Sequence, residues 1–220
     1  LLTAVLFLIP FYFMFVQSIK SKKEANRLSM AWPTELHFEN YVEVFKKANL
    51  LTAFKNSALL TLFTVLGLIV TGAMAGYVIQ RRKGKLMAGI QSVIMLGLMI
   101  PASILPTIHM LQSMHIYKTM FSMVMIEIDL QTPFTIMLYR GFMASIPVDL
   151  EEAASIDGCN RWQIFSKVIF PLLKPIQATI IILVGVQTFN DFTNPLYFLP
   201  GAANTPVQLT LYNFRSQAGS

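Results

Sequence analysis

Residues 56–80 read NSALLTLFTVLGLIVTGAMAGYVIQ, carry no charged side chain, and run directly into Arg81-Arg82-Lys83-Gly84-Lys85. At the rise of an α-helix this run is about 37 Å long, enough to cross roughly 30 Å of hydrocarbon. The basic cluster behind it suits an anchor at the membrane surface. Gly67, Gly72 and Gly76 recur among Thr, Ala and Val, so one face of this helix is predicted to pack closely on another. Working outward, residues 1–19, 86–117 and 192–214 are also uncharged. Only 13% of the 220 residues are charged and 55% are hydrophobic, against about 25% charged in soluble domains. Too few charges exist to clothe a soluble core, and the chain reads as a polytopic, all-α membrane protein.

This reading excludes several functions. The net charge of +6 could suit nucleic acid, but that needs a dense basic stripe on a soluble fold, and residues 81–85 form the one tight cluster. A single Cys, Cys159, permits neither an internal disulfide nor a cysteine metal site. His109 and His115 stand six apart, a poor metal spacing, so no metal or cofactor is expected. Phosphate-loop, nucleophile-elbow and zinc-helix motifs are all missing from the sequence. Energy for transport must then come from another polypeptide or from an ion gradient.

Five spans are predicted. The first is 1–19, with Pro10 inside; it lacks the basic start of a signal peptide, and its opening in mid-run suggests that further sequence precedes it. A charged connection, 20–55, has room for a short amphipathic helix around Asn40 to Ala48. Span two is 56–80. Span three, from Leu86 to about Thr107, should be broken by Pro101 and Pro106. Span four lies within Met120–Met143, with Glu127 and Asp129 near the interface and the crossing starting at Asp129 or Leu130. Span five, 175–199, carries Gln187, Asn190, Asp191 and Asn194, and a polar segment, 200–220, follows. Positive-inside counting does not orient these spans, because Lys20, Lys22 and Lys23 argue one way and Arg81 and Arg82 the other.

Between spans four and five lies IPVDLEEAASIDGCNRWQIFSKVIFP, residues 146–171. It reads as two short helices with a hinge. Pro147 suits a first turn, Asp149, Glu151 and Glu152 complement the positive helix end, and Gly158 ends the first helix. Asn160 and Gln163 can form a capping box for the second, with Trp162, Phe165, Val168 and Ile169 on one face until Pro171 stops it. Ala153 and Ala154 offer a small-residue surface for a partner. Glu151 and Glu152 are not an acid–base pair, since helix neighbours point about 100° apart.

The run Glu152-Ala153-Ala154, three residues, Gly158, nine residues, then Val168-Ile169-Phe170-Pro171 resembles the EAA loop of ABC importer permease subunits. Val168 and Phe170 depart from the Ile and Leu of that pattern but remain apolar. The wording around the loop, with Asn40-Tyr41, Asn56-Ser57, Ala75-Gly76-Tyr77 and Asn190-Asp191, looks like the carbohydrate importers, on the maltose-type second-permease side. The resemblance implies a type I ABC importer transmembrane fold with five of six core helices present, in the bacterial cytoplasmic membrane. It implies a cytoplasmic EAA loop within a core at 56–199, extracytoplasmic segments at 20–55 and 200–220, and a last helix beyond Ser220. Glu152, Ala153, Ala154, Asp157 and Gly158 are then ATPase-coupling residues. Implied partners are a second homologous permease, two ATP-binding subunits, an external sugar-binding protein and membrane lipid, with ATP hydrolysis on a partner rather than on this chain.

Gln187, Asn190, Asp191 and Asn194 could line a sugar path. An acid within a spanning helix is costly and usually faces the bundle or a cavity, so Asp191 could equally tie helices together. A different class of function, an ion-coupled secondary transporter with Asp191 as its coupling site, stands beside the importer reading.

Overall fold

A computed structural model describes residues 2–100, 103–201 and 204–219. Residues 1–53 with 210–220 form one compact unit, and residues 54–209 a second.

In the first unit, α1 (Leu2–Ser18) contains Pro10, α2 is Lys22–Ala25 and α3 is Glu39–Lys47. The carbonyls at the end of α1 need donors. Asn40 Nδ2 supplies two bonds, to Ser18 O and Lys20 O at 3.0 Å each, and His37 N donates to Ile19 O. Lys20 is 3% exposed and its Nζ donates to Ser29 O at 2.6 Å. It is a structural donor here, not a free surface charge, which removes one of the basic residues that made the sequence orientation ambiguous. Glu24 accepts from the Thr34 hydroxyl at 2.5 Å, and this bond holds its carboxyl below the usual range.

Helix α4 (Leu50–Arg81) is 32 residues long and begins six residues before the predicted span, so Lys55 lies inside the helix rather than in the connection. Helix α7 (Met120–Met143) is continuous through Pro133. These two are long and apolar enough to cross a membrane; a third span results if Arg161–Leu172 and Lys174–Asn190, bent by 69°, are taken together. The other predicted spans are shorter as single helices. Helix α1 has 17 residues, and predicted span three is divided into α5 (Lys85–Gly97) and α6 (Ile104–Ser113). Pro101 lies outside the described residues. Pro106 does not break α6, because it sits in the first turn, where the missing N–H has no intrahelical partner to lose.

The glycine face of α4 packs closely on another helix, as its spacing predicted, and that helix is α7. A Cβ at Gly76 would stand 2.8 Å from Tyr139 Cβ, and one at Gly72 would stand 2.6 Å from Thr135 Cγ2. Tyr139 and Met143 of α7, Leu68 of α4, and Ile169, Leu173 and Ile180 are fully buried in one core. A second core joins Leu60, Leu111, Met123 and Ile126 to Phe198 and Leu199.

Beyond α7 the chain forms α8 (Asp149–Ile156), α9 (Arg161–Gln163), a π-helical turn (Ile164–Ile169), α10 (Phe170–Leu172), α11 (Lys174–Asn190), α12 (Thr193–Phe198) and α13 (Val207–Gly219). Pro171 does not stop the second loop helix. The π-turn widens the helix ahead of the proline, with Phe170 N donating to Phe165 O, and the helix continues through Leu172. The widening also turns Trp162 outward, while Ile164, Phe165 and Ile169 are buried, so the predicted apolar face is only partly right. The 200–220 segment holds α13. Ser57 Oγ accepts from Val207 N at 2.9 Å, and Asn56 Nδ2 donates to Thr205 O at 3.2 Å, which gives the Asn56-Ser57 pair a structural task.

Candidate functional site

Two polar constellations lie along α7, one past its C-terminal end and one near its middle. The first is built on α8. Pro147 precedes the helix instead of opening it, and three acids, Asp149, Glu151 and Glu152, occupy the first turn. Gly158 adopts φ +84°, a conformation that L side chains resist, while Cys159 N returns to Ala154 O and closes the helix end. Asn160 then starts α9 with the predicted capping box, both bonds 2.9 Å.

Glu151 is clamped. Arg81 Nε donates to its Oε1 at 2.5 Å and the Tyr77 hydroxyl to its Oε2 at 2.7 Å, while Arg81 Nη2 donates to Ile146 O at 2.9 Å. The Arg81 and Glu151 side chains are 16% and 13% exposed. Tyr77 also stacks near Phe165, with ring centroids 5.3 Å apart. The end of α4, the start of α8 and the π-turn are thereby fastened to one another. On the other side of α8, Glu152, Ala153 and Asp157 are exposed, and Ile156 is 87% exposed.

The second constellation surrounds a cavity of about 450 Å³ between α7, α11 and α12. Its polar lining is Glu127 and Gln131 from α7 with Gln187, Asn190, Asp191 and Asn194; Leu130 and Val186 add apolar wall. Glu127 is 2% exposed and accepts from Asn194 Nδ2 at 3.1 Å. Asp191 sits between helices, at φ −68° and ψ 129°. Its carboxylate caps α12 by accepting from Thr193 N at 3.0 Å and Asn194 N at 3.3 Å. Asn190 Nδ2 donates back to Val186 O, and its Oδ1 accepts from Gln208 Nε2. Among the described residues no group of three or more His, Cys, Asp or Glu is placed to hold a metal ion.

Residues 49–219 match the family described as the inner membrane component of binding-protein-dependent transport systems. The chain belongs to this family. It is 35% identical over 196 residues to the melibiose/raffinose/stachyose import permease protein MelC of Bacillus subtilis (strain 168), covering 87% of this chain and 70% of that protein. It is 29% identical over 216 residues to the probable starch degradation products transport system permease protein AmyC of Thermoanaerobacterium thermosulfurigenes, covering 97% and 78%. A crystal structure of a bacterial ABC transporter involved in import of the acidic polysaccharide alginate shares the fold, with a TM-score of 0.82 at 23% identity, over 98% of this chain and 76% of that one.

Within this inner membrane component, the structure sorts the sequence candidates. Glu152, Ala153, Asp157 and Gly158 are together on the open side of the loop, but Ala154 is buried against the core and contributes nothing to an outer surface. Ile156 takes that place, and its isolation among polar neighbours on an exposed helix was the available signal. Gln187, Asn190, Asp191 and Asn194 do meet around one cavity. Asp191 is not inside a spanning helix as expected but is the C-cap of α11 in extended backbone, at the position whose carbonyl would lack a helical donor from Pro195. Glu127 is packed inside the protein, where it completes the cavity. Asp129, by contrast, is exposed to an adjoining cavity of about 370 Å³ with Ser103 and Thr107.

Proposed function

We propose that the chain is the membrane-spanning permease subunit of an ATP-driven importer for a sugar or oligosaccharide. Membership of the transport family supports the class, and the names of MelC and AmyC support the cargo. A second, homologous permease completes the path, two ATP-binding subunits drive it, and an external sugar-binding protein delivers the solute. The α8 end faces the cytoplasm of a bacterial cell, and residues 20–49 lie on the outer side. Gln187, Asn190, Asp191 and Asn194 line the path.

The observation that carries the coupling part is the two-sidedness of α8. Its inner side is clamped through Glu151, and its outer side presents Glu152, Ala153, Ile156 and Asp157. An ATP-binding subunit that grips this outer side moves α8 as a lever. The clamp passes that displacement to α4, and the close Gly72 and Gly76 packing passes it to α7, so the bundle rocks between two access states. Gly158 permits the turn into α9, and the bend at Leu173 carries the same motion into α11.

The test is uptake of labelled raffinose by proteoliposomes holding the full-length subunit with its co-purifying partners. ATP-dependent uptake that disappears in Glu152→Lys and in Gly158→Pro is expected. Uptake that proceeds without ATP and responds instead to a proton or sodium gradient would replace this reading with ion coupling.

A further inference from the structure

The cavity between α7, α11 and α12 has a chemical bias. Its two ionisable lining residues, Glu127 and Asp191, are both acids, the other polar groups are amides, and among the described residues no Lys, Arg or His lines it. The adjoining cavity, which shares Leu130, adds a third acid, Asp129, and again no basic side chain. Pro133 lies within α7 one turn beyond Asp129 and has no N–H to return to the Asp129 carbonyl, so one more acceptor is left without its helical donor in the same stretch. Gln131 lines the cavity at 7% exposure, and its amide makes no hydrogen bond among the described residues. An amide that lines a polar cavity of this size can pair with an entering hydroxyl, which can both donate to it and accept from it.

We propose that this cavity is a charge filter that admits uncharged polyhydroxylated solutes and rejects anionic ones, with Glu127 and Asp191 setting the sign and Gln131 reading a solute hydroxyl. The proposal rests on the transport reading above and narrows its substrate class. Carboxylates and amides suit sugar hydroxyls, since each carboxylate oxygen accepts and each amide does both. A uronate is penalised. At the effective dielectric of a protein surface, a solute carboxylate about 5 Å from a single ionised acid is disfavoured on the order of a hundredfold. Nothing lining the cavity offers a compensating cation.

Two measurements on the assembled full-length transporter test the filter. In a Cys159→Ser background, Gln187→Cys places a thiol in the cavity lining. Its reaction with a cationic and an anionic methanethiosulfonate of similar size is compared with that of a small free thiol. The cationic reagent should be favoured at least tenfold beyond the free-thiol ratio, and Asp191→Asn should pull that ratio back. A ratio equal to that of the free thiol, or tilted toward the anionic reagent, overturns the proposal. Glu127→Gln serves as the second variant if loss of the α12 cap disturbs folding.

Uptake in proteoliposomes then compares raffinose with a trisaccharide of uronic acids. Raffinose uptake unaffected by a tenfold excess of the uronate is expected, with competition appearing in the Glu127→Gln, Asp191→Asn double variant. Equal competition in the parent overturns the filter while leaving the permease reading intact. A cation-selective thiol with ATP-dependent uptake of neither sugar overturns the sugar reading, and the substrate assignment built on it falls too.

Discussion

Glu151 and Glu127 are both largely withdrawn from solvent, yet their surroundings differ in kind. Both oxygens of Glu151 are taken, one by a guanidinium and one by a phenol, and the same Arg81 also holds a backbone carbonyl. Glu127 takes an amide donor from Asn194, shares a hydrogen bond with the Asp191 carboxyl, and opens on a cavity with no cation among the described lining residues. A buried charge with a matched counter-charge fixes geometry, and its removal leaves a partner stranded. A pair of acids held by amides and by each other carries no such counter-charge. The comparison separates a mechanical joint from the surface proposed to meet the solute, within one helical unit.

Breaking the joint should have the largest effect. Arg81→Leu strands Glu151, and a loss of about 3 kcal/mol in stability is expected, read as a lowered melting temperature of the detergent-solubilised complex together with loss of transport. Gly76→Val attacks the packing that passes motion from α4 to α7. Its Cβ meets Tyr139 Cβ at 2.8 Å, and overpacking should cost roughly 1–3 kcal/mol in the same assay. Tyr77→Phe removes one of two bonds to Glu151 while keeping the ring on Phe165, so about 1 kcal/mol is expected. Glu127→Gln should change melting less than any of these, because Asn194 can still donate to the new amide oxygen, while the solute preference shifts. If it destabilises as much as Arg81→Leu, the distinction between joint and binding surface fails.

The smallest effect concerns a half-buried carboxylate, Glu24, which serves as a reference for the buried pair. Its folded value lies below the ordinary 4.5 because Thr34 donates to it. Its contribution is therefore present above pH 4.5 and is lost as pH falls through the lower folded value. Hydrogen exchange over residues 20–37 should quicken, relative to the intrinsic rate, between pH 5 and the acid limit in the parent and show less change in Thr34→Ala.

Local signals in the sequence carried much of this. The Gly67, Gly72 and Gly76 spacing foretold the α4–α7 contact because close approach needs small residues at helical intervals. The Asn160 and Gln163 box was legible because both partners lie within one turn. The Arg81–Glu151 joint was not, since the two are 70 residues apart and either reads by itself as a surface charge. The prolines misled in both directions. Pro171 looks like a stop in the sequence, but a π-turn absorbs it, whereas α11 ends at Asn190, five residues before Pro195, with Asp191 as its cap. The burial of Glu127 was equally illegible, because its partner Asn194 lies 67 residues away.

The central claim is that the outer side of α8 is where an ATP-binding subunit attaches. Its most direct test is affinity purification of the detergent-solubilised full-length subunit from its native membrane, in parallel with Glu152→Lys and Gly158→Pro, with partners identified by mass spectrometry. The account predicts that the parent brings down an ATP-binding protein and a second permease, and that each variant retains the permease but loses the ATP-binding protein. An ATP-binding protein that stays with both variants, or that is missing from the parent while the second permease is retained, would contradict it.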